Sequence, residues 1–279
     1  MIVDFHTHIF PPWLIEQRER YLQRDATFAE LFADPKAKMA TVEDLAEAMD
    51  EDGVDRSVAM GIGWTDQGVA REVNDYIIES AKRYPERIVG FASISPAWGS
   101  AAVHEAERCA DSGLRGIGEL HPDSQGYDIG DEKTMAPLME LARQRRLIVT
   151  THSSEPVGHT YAGKGETTPA KLRRFVQSFP DNTIVCAHWG GGLPFYALMP
   201  EVAEGLANVY FDSAASPFLY RPEVFGSVNG LVGVERVLMG SDFPLMRASR
   251  LATQVEESGL SEDDKAAILG GNAEKLLTT

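Results

Sequence analysis

The chain has 279 residues, 43% of them hydrophobic, enough for one sizeable core, and α/β barrels of this length build a single domain, taken here as residues 1–279. A formal net charge of −16 opposes a polyphosphate backbone, so nucleic acid is excluded as the expected partner. No apolar run reaches the roughly 18 residues of a membrane span, and the opening lacks a basic, secretory-type segment, so the expectation is a cytoplasmic protein with no membrane partner.

Apolar, β-rich segments alternate with helical ones along the chain. The first strand is expected near Ile2–His6 and runs into Thr7 and His8. Residues two apart on a strand share a face, so His6 and His8 leave it side by side, aimed at one point. Imidazole is the commonest nitrogen ligand for a divalent metal. An excursion over residues 9–40 follows, longer than an ordinary loop. It carries Trp13, Arg18, Arg20 and Arg24 and leaves the same strand end as the histidines, so it reads as a lid or pocket wall. Thr41 then caps a helix that Gly53 stops.

Seven more strands are expected near Asp55–Gly61, Ile88–Ser95, Leu114–His121, Leu147–His152, Thr183–His188, Val209–Ser213 and Val237–Asp242. Helical spacing covers Val69–Arg83, Ala101–Asp111, Lys133–Arg145 and Lys171–Phe179, the last closed by Pro180. A final helix over Ser261–Leu277 contains Gly270 and Gly271, a pair expected to break or bend it. Eight strands alternating with helices predict parallel pairing, right-handed crossovers and a (β/α)8 TIM barrel. No Gly-x-Gly-x-x-Gly turn follows the first strand, which disfavours an open dinucleotide-binding sheet. Cys109 and Cys186 show no motif spacing and read as reduced core residues.

The strand ends repeat one pattern, an apolar interior followed by an ionisable residue. His6 and His8 end the first, Glu119 and His121 the fourth, His152 the fifth, His188 the sixth, Asp212 the seventh and Asp242 the eighth. In a parallel barrel these ends share one mouth, where catalytic sites are found. His104, on a helix, and His159, in a long loop, read as surface residues. Asp212 reads as a cap for the helix near Ser216, with orientation of a substrate group as the alternative.

The run Asp4–Ile9 (Asp-Phe-His-Thr-His-Ile), His152, the run Ala187–Phe195 (Ala-His-Trp-Gly-Gly-Gly-Leu-Pro-Phe) and the run Gly240–Pro244 (Gly-Ser-Asp-Phe-Pro), in that order, resemble the amidohydrolase superfamily. The closest likeness is to its amidohydrolase-related (type 2) branch. The resemblance implies that His6, His8, His152 and Asp242 bind one divalent metal, zinc first and manganese second. It also implies that Asp242 holds the metal-bound water and that His188 is the acid/base group. Glu119 has three readings: ligand of a second metal, hydrogen-bonded support for a ligating histidine, or completion of a one-metal site.

The run after His188 looks most like the aminocarboxymuconate semialdehyde decarboxylase group of that branch. The leading expectation is a metal-dependent hydrolase that activates water against a small carboxylate, amide, ester or lactone. The rival is a nonoxidative decarboxylase (carboxy-lyase) of an aromatic or dienoic acid. Either would take a small-molecule substrate beside Trp13 and His121. A decarboxylase needs a cationic clamp, for which Arg247 is the first candidate and Arg18, Arg20 and Arg24 come next. A homodimer is implied by the resemblance alone.

Overall fold

In the computed structural model, which describes residues 1–278, all eight expected strands form one parallel sheet in chain order. They are β1 (Val3–His8), β2 (Arg56–Met60), β3 (Ile88–Ala92), β4 (Gly116–Leu120), β5 (Ile148–Thr151), β6 (Ile184–Cys186), β7 (Val209–Asp212) and β8 (Val237–Leu238). The sheet closes on itself because β1 also bonds the chain around β8. Phe5 donates its N–H to Met239 O at 2.8 Å, Asp242 to His6 O at 2.9 Å, and His8 to Phe243 O at 2.7 Å. The result is the (β/α)8 barrel expected from the alternation. Seven of the strands, β2 to β8, stop earlier than the sequence pattern indicates. His121, His152, His188 and Asp242 lie just past the ladder, where the backbone turns the side chains into the mouth.

Side-chain parity inside the barrel changes at two places. In β1 the partners run Asp4↔Ser57 and then Thr7↔Ala59, and in β4 they run Ile117↔Val149 and then Leu120↔Thr151. Each strand thus gains one residue on its neighbour, a bulge that re-aims the side chains beyond it. Before the β1 bulge, Val3 and Phe5 belong to an apolar cluster with Val58, Met60, Val89 and Phe91. Phe5 and Phe91 meet edge to face at 5.8 Å although β1 and β3 are not neighbours, so this cluster fills the barrel interior. After the bulge, His6 and His8 take over the inward direction. Glu119 and His121 do the same after the β4 bulge.

The surrounding helices pack their apolar faces on the outside of the strands in a second, larger cluster. The helix Val42–Asp52 begins with a capping box, Thr41 Oγ1 accepting the Asp44 N–H and Asp44 accepting the Thr41 N–H, and Gly53 ends it. Cys109 and Cys186 are buried and unpaired. No helix among the described residues is long and apolar enough to cross a membrane.

Two expectations need correction. Residues 9–40 are not mainly loop but hold three short helices, Pro12–Glu16, Arg18–Arg24 and Ala26–Phe32. The buried Asp25 ties them to the chain after β2 by accepting N–H bonds from Thr65 at 2.7 Å and Asp66 at 2.8 Å. The glycine pair does not break the last helical segment. It forms a π-helical turn, Ala267–Gly271, continuous with Asn272–Thr278. Gly270 is required there because a Cβ would lie 2.6 Å from Met1 O.

Candidate active site

The carboxyl ends of the strands bring His6, His8, Glu119, His121, His152, His188 and Asp242 to one buried place, with Asp212 behind them. Glu119 is the hub. Its Oε2 lies 2.9 Å from His121 Nε2, 3.6 Å from His6 Nε2 and 3.7 Å from His8 Nε2. Its Oε1 lies 3.2 Å from His152 Nδ1 and 3.4 Å from His188 Nε2. Asp242 Oδ1 approaches His8 Nε2 at 3.2 Å and His6 Nε2 at 3.8 Å.

Three of these rings are fixed from outside by groups that only accept hydrogen bonds. His6 Nδ1 donates to Asp212 Oδ2 at 2.9 Å, His188 Nδ1 to Ala214 O at 3.0 Å, and His152 Nε2 faces Lys164 O at 3.2 Å. The outer nitrogens therefore carry the hydrogens. The inner nitrogens, His6 Nε2, His188 Nε2 and His152 Nδ1, turn lone pairs toward Glu119 and Asp242. Lone pairs facing carboxylates at 3.2–3.8 Å repel unless a proton or a metal cation lies among them. His6 Nε2 and His8 Nε2 are 3.1 Å apart. Ligands bound at about 2.1 Å to one ion are about 3.0–3.4 Å apart, so the donor set fits a divalent metal. Donors fall into two groups within 4.8 Å, His6 with His8 and Glu119, and Glu119 with His152 and His188. His152, expected beside His6 and His8, thus stands on the other side of Glu119.

In the protonic form the charges arrange themselves around the carboxylates. Burial alone would lower His6, yet Asp212 and Glu119 hold it well above the ordinary imidazole value. Burial opposes the charge on Glu119, but His121 and His6 bring it well below the usual carboxylate range. Asp242 falls to about 2 despite burial, through the His8 hydrogen bond and the charges of His6 and His188. Burial also pulls against His188, but its hydrogen bond to Glu119 and the Glu119 charge raise it to about 9. His152 goes the other way, to about 4, through burial and the neighbouring His121.

Two site residues hold left-handed backbone, His188 with φ 53° and Asp242 with φ 69°. Such conformations persist for non-glycine residues only where the surroundings fix them. His188 is fixed by Asp212 Oδ1, which accepts its N–H at 3.1 Å. The glycines after Trp189 serve close approach, since a Cβ on Gly191 would lie 2.3 Å from Ser154 O. Asp212 is therefore the brace of both His6 and His188, not the helix cap that the sequence indicates.

The site opens into a cavity of about 450 Å³. Its walls are largely apolar, with Leu31 and Phe32 from the first excursion and Ile62, Phe218, Pro244 and Leu245 from elsewhere. His121 lies on this cavity, stacked on His152 with ring centroids 4.5 Å apart. His159, read as a surface residue, is exposed but lines the same cavity, as does Tyr161. Trp13 is not among the lining residues. It is 41% exposed and stands edge-on to Tyr76.

None of the four candidate arginines lines the cavity. Arg247 is held by Asp52 at 2.9 Å and Glu51 at 2.8 Å. Arg24 faces Asp66 and Glu72, Arg20 bonds Gln17, and Arg18 bonds the carbonyls of Phe32, Asp34, Pro35 and Ala37. Sequence reasoning missed Lys38 altogether, because a lone lysine in a charged segment carries no pattern.

The chain belongs to the amidohydrolase family: the family model Amidohydro_2, described as Amidohydrolase, matches residues 3–278. It is similar to a 2-amino-3-carboxymuconate-6-semialdehyde decarboxylase from Dictyostelium discoideum, with 24% identity over 243 residues, 75% of this chain and 66% of that protein. It thus spans just under two thirds of that relative. It is also similar to a gamma-resorcylate decarboxylase from Polaromonas sp., with 22% identity over 250 residues, 74% of this chain and 75% of that one. Among solved structures, a dihydroxybenzoic acid decarboxylase from Polaromonas sp. JS666, with bound manganese and the inhibitor 2-nitroresorcinol, superposes with a TM-score of 0.77 at 19% identity. That match covers 99% of this chain and 96% of the other, and it shows the shared fold.

Proposed function

We propose that this member of the superfamily is a metal-dependent, nonoxidative decarboxylase of a small planar acid, aromatic or dienoic. The observation that carries the reading is the buried His188, which lines a largely apolar cavity with Nδ1 fixed on Ala214 O at 3.0 Å and Nε2 turned inward, 3.4 Å from Glu119 Oε1. An apolar slot suits a planar carbon framework, and a protonated imidazole suits the delivery of a proton to carbon. The names of the curated relatives support the decarboxylase over the hydrolase that the sequence puts first.

His6, His8, Asp242 and Glu119 would hold the metal, with His152 as a further donor across Glu119. A bound ion would supply positive charge that offsets negative charge on a substrate oxygen. Imidazoles suit zinc and carboxylates suit manganese, so the donor set accepts either. His188 Nε2 gives its proton to the carbon that bears the carboxylate. The bond from that carbon to the carboxylate then breaks, its electron pair returns to the carbon framework, and carbon dioxide leaves. Asp212 keeps His188 and His6 in place, and residues 9–40 form the lid that keeps water from the apolar side. The whole chain works as one domain.

Metal-loaded protein in D2O, offered hydroxybenzoates and carboxylated phenols, should release carbon dioxide and leave one deuterium at the vacated carbon. Inertness toward these acids with turnover of esters or lactones would return the chain to the hydrolases. One observation favours that second reading: Glu119 turns each oxygen to a separate donor group, the placement of a carboxylate shared by two metals.

A further inference from the structure

We propose that Lys38 recognises a second acidic group on the substrate, remote from the histidines, so that the preferred substrate carries two anionic substituents. The inference rests on the decarboxylase reading for its chemistry and names the substrate class within it.

An anionic substrate faces a chain of net charge −16 and a site floored by Glu119 and Asp242. The metal proposed on that floor meets the group at the reacting carbon, and a second anionic group away from it needs a further cation. The arginines that the sequence offers are occupied elsewhere, by carboxylates, carbonyls and Gln17. Among the described residues Lys38 is the sole Lys or Arg lining the cavity, and its side chain makes no hydrogen bond or ion pair there. Lys38 is exposed at the cavity wall, which it shares with Leu31, Phe32 and Ala37, so its ammonium is open to an incoming anion.

Its backbone is held in place from both sides. Arg18 grips the carbonyls of Phe32 at 3.1 Å and Ala37 at 3.2 Å. On the other side Ala40 O accepts the Phe10 N–H at 2.8 Å, and Thr41 starts the capped helix. Arg18 thus acts as a positioning residue for the segment that presents Lys38.

The lysine suits a retained group better than the one that leaves. The departing carboxylate loses its charge as carbon dioxide forms, so a cation fixed on it would favour the ground state over the transition state. A cation on a carboxylate or phenolate that keeps its charge binds both states alike and orients the ring. An ammonium on a flexible stem accepts either group as a point charge.

The test is calorimetric titration of metal-loaded wild type, Lys38→Met and Lys38→Arg with two unreactive probes, isophthalate and benzoate. Wild type should bind isophthalate about tenfold more tightly than benzoate, the value of one charge-assisted contact. Lys38→Met should erase that preference, Lys38→Arg should retain most of it, and benzoate affinity should be equal in all three. A merely structural lysine would shift both probes together. A preference that survives in Lys38→Met, or that is missing from wild type, overturns the proposal. If the preference behaves as expected while no acid releases carbon dioxide, the recognition role of Lys38 stands and the decarboxylase reading fails.

Discussion

Asp212 Oδ2 sits 2.9 Å from His6 Nδ1, with both side chains wholly buried, and its Oδ1 takes the backbone N–H groups of His188 and Ala214. One carboxylate thereby sets the tautomer of His6, a proposed metal ligand, and the backbone of the proposed acid, His188. In Asp212→Asn the side-chain oxygen still serves the two backbone groups, but the amide presents N–H to His6. The hydrogen on His6 then moves to Nε2 and removes the inward lone pair. Metal affinity should fall about 10–100-fold in a competition titration. Unchanged affinity would mean that His6 does not ligate through Nε2.

Glu119 meets five histidines, and its role decides the metal count. The proposed decarboxylase holds about one metal per chain by elemental analysis. Glu119→Gln should weaken that binding without changing the count at saturation. Two metals falling to one in the variant would instead favour the hydrolytic reading, with Glu119 shared between the ions.

Much of this site was legible from the chain. The period-two pairs His6 with His8 and Glu119 with His121, and the ionisable residues at successive strand ends, are enough to predict the barrel and the convergence of these residues at one mouth. The bulges in β1 and β4 were not legible, because parity changes only when a neighbouring strand fixes the register. Asp212 was misread for a related reason. Its partner His6 is 206 residues away, and the contact exists only once β8 closes on β1. Lys38 and the occupied arginines were hidden because a charge in sequence does not reveal its partner.

Arg247, the first candidate clamp, predicts a stability effect without a catalytic one. It pairs with the half-buried Asp52, and burial alone would raise that carboxyl, but the bonds from Arg247 and Ser249 lower it. A carboxyl with a lowered folded value stabilises the fold above its unfolded value and loses that contribution as pH falls toward the folded one. Arg247→Ala should cost about 1 kcal/mol near neutral pH, a modest figure because the guanidinium is partly in solvent. The gap in Tm from wild type should shrink in acid, while kcat and KM stay within about twofold. A large rise in KM would restore Arg247 to the substrate.

His188 predicts the pH profile. As the proton donor it works while protonated, so kcat/KM should hold level below its pKa and fall as pH rises through it. In the protonic site Glu119 raises that pKa to about 9 against the burial penalty. A metal cation among the neighbouring ligands repels an imidazolium, so in the loaded enzyme the falling limb should lie at or below that value. His188→Asn keeps a donor toward Ala214 O but cannot deliver a proton. It should lower turnover about 10²–10⁴-fold and abolish the falling limb, with metal content unchanged. Loss of metal from that variant would make His188 a ligand, and the proton would then have to come from another group on the cavity floor.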